Sequence, residues 1–209
     1  MAVRQDLERR WTHIDWELDD VTPRMIDWFW SNMEKGYFLW HPDQHKDFYW
    51  EVPVQQGRFL GAVHVAPQRW ADGTLIEPHI RFDDVATLPP EVADLVKYDH
   101  CVAVAANALF KKDYRPENPV IAYRIHQWQA SDRGVVGMSS AVPMQPDPLE
   151  VEQARGLTWA AHAGEEVGNW AKFLPELYRL FKVVPLPETN PFHSLKVKRE
   201  GRIVRYVEL

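Results

Sequence analysis

Apolar and polar residues alternate through successive segments between about residues 58 and 145, after which the chain reads as helix from about Leu149 to Lys182. The segments are RFLGAVHVAPQRW, TLIEPHIRF, HCVAVAANAL, PVIAYRIHQWQ and VVGMSSAVPM. A period of two places side chains alternately on two faces of a strand, whereas a helix gathers them into one stripe. Turn signals at Ala71-Asp72-Gly73 and Ser131-Asp132-Arg133-Gly134 make neighbouring strands antiparallel. A long helix arriving after such a sheet buries its stripe against it, which predicts an α+β fold with a curved sheet gripping that helix. The space between sheet and helix is then the natural ligand site.

Asp147-Pro148 suits the start of the late helix, and Pro175 is expected to kink or interrupt it. Thr22-Pro23 reads as a cap and first turn of an earlier helix to about Glu34. A short helix is expected over Pro89 to Val96, and a hairpin turning at Glu200-Gly201 closes the chain. Residues 1–22 read as an N-terminal extension and 23–209 as a single domain.

The chain has 209 residues, enough to bury a substantial core. Its formal net charge of −6, with no concentrated basic face, argues against nucleic-acid binding. The longest apolar runs, such as Val102 to Leu109, are too short to span a bilayer, and MAVRQDLERRW carries no apolar signal region. The single cysteine, Cys101, sits in a strand-like apolar run and fits a reducing, cytoplasmic setting as a core thiol. Ten tryptophans exceed what composition alone leads one to expect. They fill core or line a cavity for flat ligands, and they permit a homodimer without requiring one.

Three groups carry candidate chemistry. In WAAHAGEEVGNW, His162 and Glu166 stand four residues apart, on one helical face, where imidazole and carboxylate can reach one ion. An ordinary surface ion pair uses the same spacing, and Glu165 is the competing neighbour. YFLWHPDQH gathers two histidines, an aspartate and a tyrosine among aromatics, as a polar site wall or as a solvated loop. Glu77 and His79 lie in the strand-like LIEPHIRF. There is no HExxH, GxSxG, GxGxxG or P-loop.

Together with the aromatic helix DWFW and the run NWAKFLPELY, these groups resemble the 2,4-diacetylphloroglucinol hydrolase family, which includes phloretin hydrolase, over roughly residues 23–182. The resemblance implies a helix-grip, Bet v 1-like fold. It implies cleavage of the carbon–carbon bond between an acyl group and a phloroglucinol-type ring. It also implies zinc held by His45, Glu77, His162 and Glu166, with Tyr37 and His126 contacting an aromatic ketone substrate. Iron is the second choice of metal. Other readings remain: a zinc hydrolase of a different ketone or ester, a non-haem iron oxygenase, or a carrier of hydrophobic molecules with the same fold.

Overall fold

The computed structural model describes residues 1–184, 186 and 188–209. In chain order come β1 (Ala2–Asp6), β2 (Trp11–Asp19), α1 (Pro23–Ser31), α2 (Tyr37–Trp40), β3 (Tyr49–Val52), β4 (Val63–Val65), β5 (Gln68–Arg69), β6 (Leu75–Ile76) and β7 (His79–Asp83). They are followed by α3 (Pro90–Ala93), β8 (His100–Ala108), β9 (Ala122–Ala130), β10 (Gly134–Pro143), α4 (Leu149–Lys182), β11 (Leu195–Glu200) and β12 (Ile203–Glu208). Eight strands form one antiparallel sheet in the order β1-β2-β10-β9-β8-β7-β4-β3, and α4 packs against it. This is the helix-grip arrangement expected from the strand-then-helix order.

Strand alternation decides what lies where. On β9, His126 and Trp128 face inward, while Tyr123 and Ile125 face the opposite side. On β8, Val102 and Val104 join the inner core while Cys101, Ala103 and Ala105 join the outer one. The outer face is covered by α3 and the β11–β12 hairpin, whose Arg199 Nη2 donates to the carbonyls of Ala93 and Val96 at 2.6 Å each. A buried polar chain ties that hairpin inward: Asp27 on α1 accepts from Ser194 Oγ and sits 2.9 Å from His100 Nδ1 on β8.

Residues 1–22, set apart by the sequence reading as an extension, supply β1 and β2, and β2 lies beside β10 inside the sheet. The alternation in WTHIDWEL explains this, since Ile14, Trp16 and Leu18 all enter the core beneath α4. Helix α4 runs through Pro175 without interruption. The carbonyl deprived of a donor there belongs to Ala171, which is exposed to solvent. Among the described residues no helix is long and apolar enough to cross a membrane.

Tryptophans knit the inner core together. Trp170 of α4 is fully buried, edge-on to Trp16, Phe29 and Trp30 and stacked on Trp40 with centroids 5.5 Å apart. Gly137 of β10, paired with Trp16, makes room for that indole: a Cβ there would lie 2.2 Å from the Trp16 ring and 2.6 Å from the Gln127 carbonyl oxygen. Gly137→Ala therefore overpacks the sheet beside α4 and should cost about 1–3 kcal/mol, read as a lower urea midpoint. An unchanged midpoint would mean that the indole is free to move aside.

Candidate metal centre and cavity

Helix α4 carries His162 and Glu166 one turn apart, both buried, with Ala163 between them equally buried. Glu165 points outward, with 61% of its side chain exposed, so α4 selects Glu166 as the inward carboxylate. Opposite stands the turn after α2. Backbone bonding from His45 N–H to the His41 carbonyl (3.0 Å) shapes that turn and drives the His45 side chain into the protein. His45, His162 and Glu166 thus converge, with one ligand atom from each within 4.8 Å of the others. Both imidazole Nε2 atoms lie 3.1 Å from the same Glu166 oxygen. Burial alone would raise the Glu166 pKa; positive charge on the side facing the two histidines, from their own protonation or from a bound cation, holds the carboxyl well below its usual range.

The hydrogen count at this site indicates a cation. His45 Nδ1 lies 2.7 Å from the backbone carbonyl of Tyr37, which can only accept, so Nδ1 carries the hydrogen. A neutral His45 then presents a lone pair at Nε2, facing a carboxylate oxygen that also offers only lone pairs. His162 repeats the pattern, its Nδ1 being 2.9 Å from Gln44 Oε1. Lone pairs aimed at one another from two imidazoles and a carboxylate fit a divalent metal ion between them.

Two further side chains are held by tryptophan-anchored relays. Trp70 Nε1 donates to Gln68 Oε1 (3.0 Å), which turns the Gln68 amide nitrogen towards the Tyr37 hydroxyl (3.4 Å). Tyr37 therefore accepts from Gln68 and keeps its own hydrogen for another partner, and burial pushes its pKa up so that it stays protonated. The Tyr37 ring stacks on His45, centroids 3.8 Å apart. In the second relay, Trp16 Nε1 donates to Ser139 Oγ (3.1 Å), and the buried hydroxyl hydrogen has His126 Nδ1, at 2.9 Å, as its one acceptor among the described residues. His126 Nε2 then carries the ring hydrogen. Tyr37, His126, His162 and Glu166 all line one cavity of about 680 Å³, walled by Trp30, Trp40, Trp70 and Trp159.

Of the residues singled out from sequence, the structure brings together His45, His162 and Glu166, with Tyr37 stacked beside them and His126 across the cavity. Glu77 is not a member of the three-residue group. It is half-buried between β6 and β7, its N–H donating to the Leu109 carbonyl at 2.8 Å. His79 pairs instead with Glu51 (2.6 Å). The sequence reading did not single out His41 as a site residue. It is 1% exposed, its ring stacks 4.6 Å from that of His162, and its Nε2 lies 3.4 Å from Glu165 Oε2, though neither ring nitrogen makes a hydrogen bond among the described residues. The four-residue spacing of His41 and His45 in HPDQH was its signal. His64, Gln44, Gln68 and Ser139 gave none, being ordinary residues until the fold sets them beside the site.

A sequence profile described as the DAPG hydrolase PhiG domain matches residues 12–179. The chain belongs to this family. The matched span runs from β2 into α4 and takes in all three converging residues. No curated protein matches the sequence. Protein Ms6760 from Mycobacterium smegmatis shares the fold at 12% identity, with 83% of this chain covering 96% of that one at a TM-score of 0.59. A protein from Arthrobacter aurescens does so at 12% identity, 84% and 91% coverage and a TM-score of 0.55. The di-domain ARO/CYC protein StfQ, from the steffimycin biosynthetic pathway, matches at 11% identity over 81% of this chain and 53% of its own, with a TM-score of 0.50.

Burial makes two cavity histidines reluctant to ionise, with pKa values lowered to about 4 for His126 and about 3 for His64. Unfolded, each titrates near 6.5. As pH falls below that value the unfolded chain gains protons that the folded one refuses, so stability is lost with falling pH and is complete above it. Each contributes a slope of up to about 1.4 kcal/mol per pH unit between its two pKa values. Urea titrations at pH 7, 6 and 5 should therefore show a shallower pH dependence for His126→Gln than for the parent. Equal slopes would place a charged His126 in the folded protein.

Proposed function

We propose that this hydrolase cleaves the carbon–carbon bond between an acyl group and a phloroglucinol-type ring or related β-diketone, with a divalent ion, zinc first, as its cofactor. The observation that carries the proposal is the lone-pair opposition of His45, His162 and Glu166, within a chain of this family. A divalent ion held there supplies Lewis acidity towards a ketone carbonyl and makes water acidic enough to react near neutral pH.

Hydrolysis adds water across the acyl–ring bond. The hydroxyl goes to the carbonyl carbon, giving a carboxylic acid, and the ring carbon leaves with the electron pair and takes up a proton. That departure is accessible when ring hydroxyls beside the acyl group let the charge rest on oxygen. Neutral His126, with hydrogen at Nε2, is suited to hold such a ring oxygen as charge collects on it. Tyr37, protonated and fixed by Gln68, offers a second donor beside the metal ligands. The tryptophan walls sandwich a flat ring and exclude water from the reacting bond. Glu77, implied as a fourth ligand by the family resemblance, lies outside the converging three, so three protein ligands leave a position open in a four-coordinate site.

The test is incubation of zinc-loaded protein with mono- and diacylated phloroglucinols, reading acid released and deacylated ring by chromatography. Equimolar release is expected, with His126→Asn lowering kcat by about 10²–10⁴-fold while zinc content stays unchanged. Hydrolysis of simple aryl esters but not of these ketones would instead support a hydrolase of a different carbonyl substrate.

A further inference from the structure

Arg124 stands in the cavity wall without a close ion pair, feeling the carboxylates of Glu152 and Glu166 only at longer range. Strand β9 places it two residues from His126 on the same face, and its guanidinium carbon lies 5.4 Å from the ring centre of Trp159, three residues before His162 on α4. One of its nitrogens, Nη1, donates to the Tyr123 carbonyl at 3.0 Å. A guanidinium has five N–H donors. Among the described residues no other acceptor meets Arg124, and no carboxylate lies within ion-pair distance of it. Glu152 shares the same wall, but its Oε1 already accepts from Asp147 N–H (3.0 Å) and Arg155 Nη1 (3.3 Å). Burial brings the Arg124 pKa down to about 10, which leaves it cationic at neutral pH. Arg124 is half-buried, with donors left over at the cavity wall, and a ligand of opposite charge in the cavity would pair with them.

The spacing suits one aromatic ring. Two residues of strand separate Arg124 from His126 by about 6.6 Å, and three residues of helix separate Trp159 from His162 by about 4.5 Å along the axis. We propose that Arg124 receives an oxyanion carried on the ring of the substrate, a carboxylate or an ionised ring hydroxyl, while the ketone lies at the histidine–glutamate group. The ketone end rests on the hydrolase reading given above, and the oxyanion end does not. The site thereby selects acylated aromatic acids and acidic acylphenols over neutral aryl ketones.

Binding to the zinc-loaded protein, read by quenching of tryptophan fluorescence, tests this apart from turnover. The probes are 4-acetylbenzoate, its neutral amide 4-acetylbenzamide, and 2,4,6-trihydroxyacetophenone measured across the pH range in which its ring ionises. The protein should bind the benzoate at least about tenfold more tightly than the amide, as a charge-assisted pair requires. Arg124→Met should abolish that preference, and Arg124→Lys should keep part of it, which guards against a Met variant that misfolds. Tightening of the trihydroxyacetophenone with ionisation, lost in Arg124→Met, assigns an ionised hydroxyl. A preference confined to the benzoate assigns a carboxylate. Equal affinity for benzoate and amide with no tightening of the trihydroxyacetophenone on ionisation, or a preference that survives Arg124→Met, overturns the proposal. A benzoate preference without any acyl cleavage counts against the hydrolytic reading alone, and cleavage without the preference counts against the Arg124 role alone.

Discussion

One backbone carbonyl sets the terms of the site. By accepting from His45 Nδ1, Tyr37 O leaves the neutral imidazole to present its lone pair at Nε2 to Glu166. Among the described residues no protein donor stands by to relieve that opposition, since Glu166 meets only the two imidazoles. The remedies are a second proton on each imidazole or a cation between them. A divalent cation engages all three lone pairs at once, which makes it the better remedy. The arrangement is a ligand set whose orientation is fixed by its outer partners.

The rest of the fold serves that orientation. Glu166 and His162 ride on α4, whose Trp170 is locked among Trp16, Phe29, Trp30 and Trp40. His45 rides on the turn after α2, and Asn169 of α4 donates to the Trp40 carbonyl at 2.9 Å, tying that turn to the helix. The same indole that Gly137 accommodates anchors Ser139 and hence the His126 ring, so sheet packing and ring position are linked through one contact. Rigid aromatic packing here acts at a distance on where hydrogens sit in the cavity.

Much of this was legible in the sequence, and for physical reasons. Helix α4 announced itself by its change of period and its Asp147-Pro148 start, and a four-residue spacing on a helix fixes a common face whatever the tertiary context. The strands from 58 onward were readable because turns punctuated them. What stayed hidden depends on pairing. Strand β2 alternates as clearly as the others, but nothing local says that it pairs with β10, more than a hundred residues away. Glu77 precedes Pro78 where β6 gives way to β7, so alternation does not carry across it and its direction was not predictable. Gln68, Ser139 and Arg124 acquire meaning only from neighbours brought by other strands and by α4.

The central claim is that His45, His162 and Glu166 hold a metal ion, and elemental analysis of the purified protein beside Glu166→Gln tests it most directly. Both proteins are dialysed identically against micromolar zinc and then against metal-free buffer, with circular dichroism confirming that the variant is folded. The account predicts about one zinc per chain in the parent and little in the variant, whose amide removes the shared negative charge. Zinc absent from both, or retained equally by both, would contradict it and leave the cavity to a metal-free chemistry.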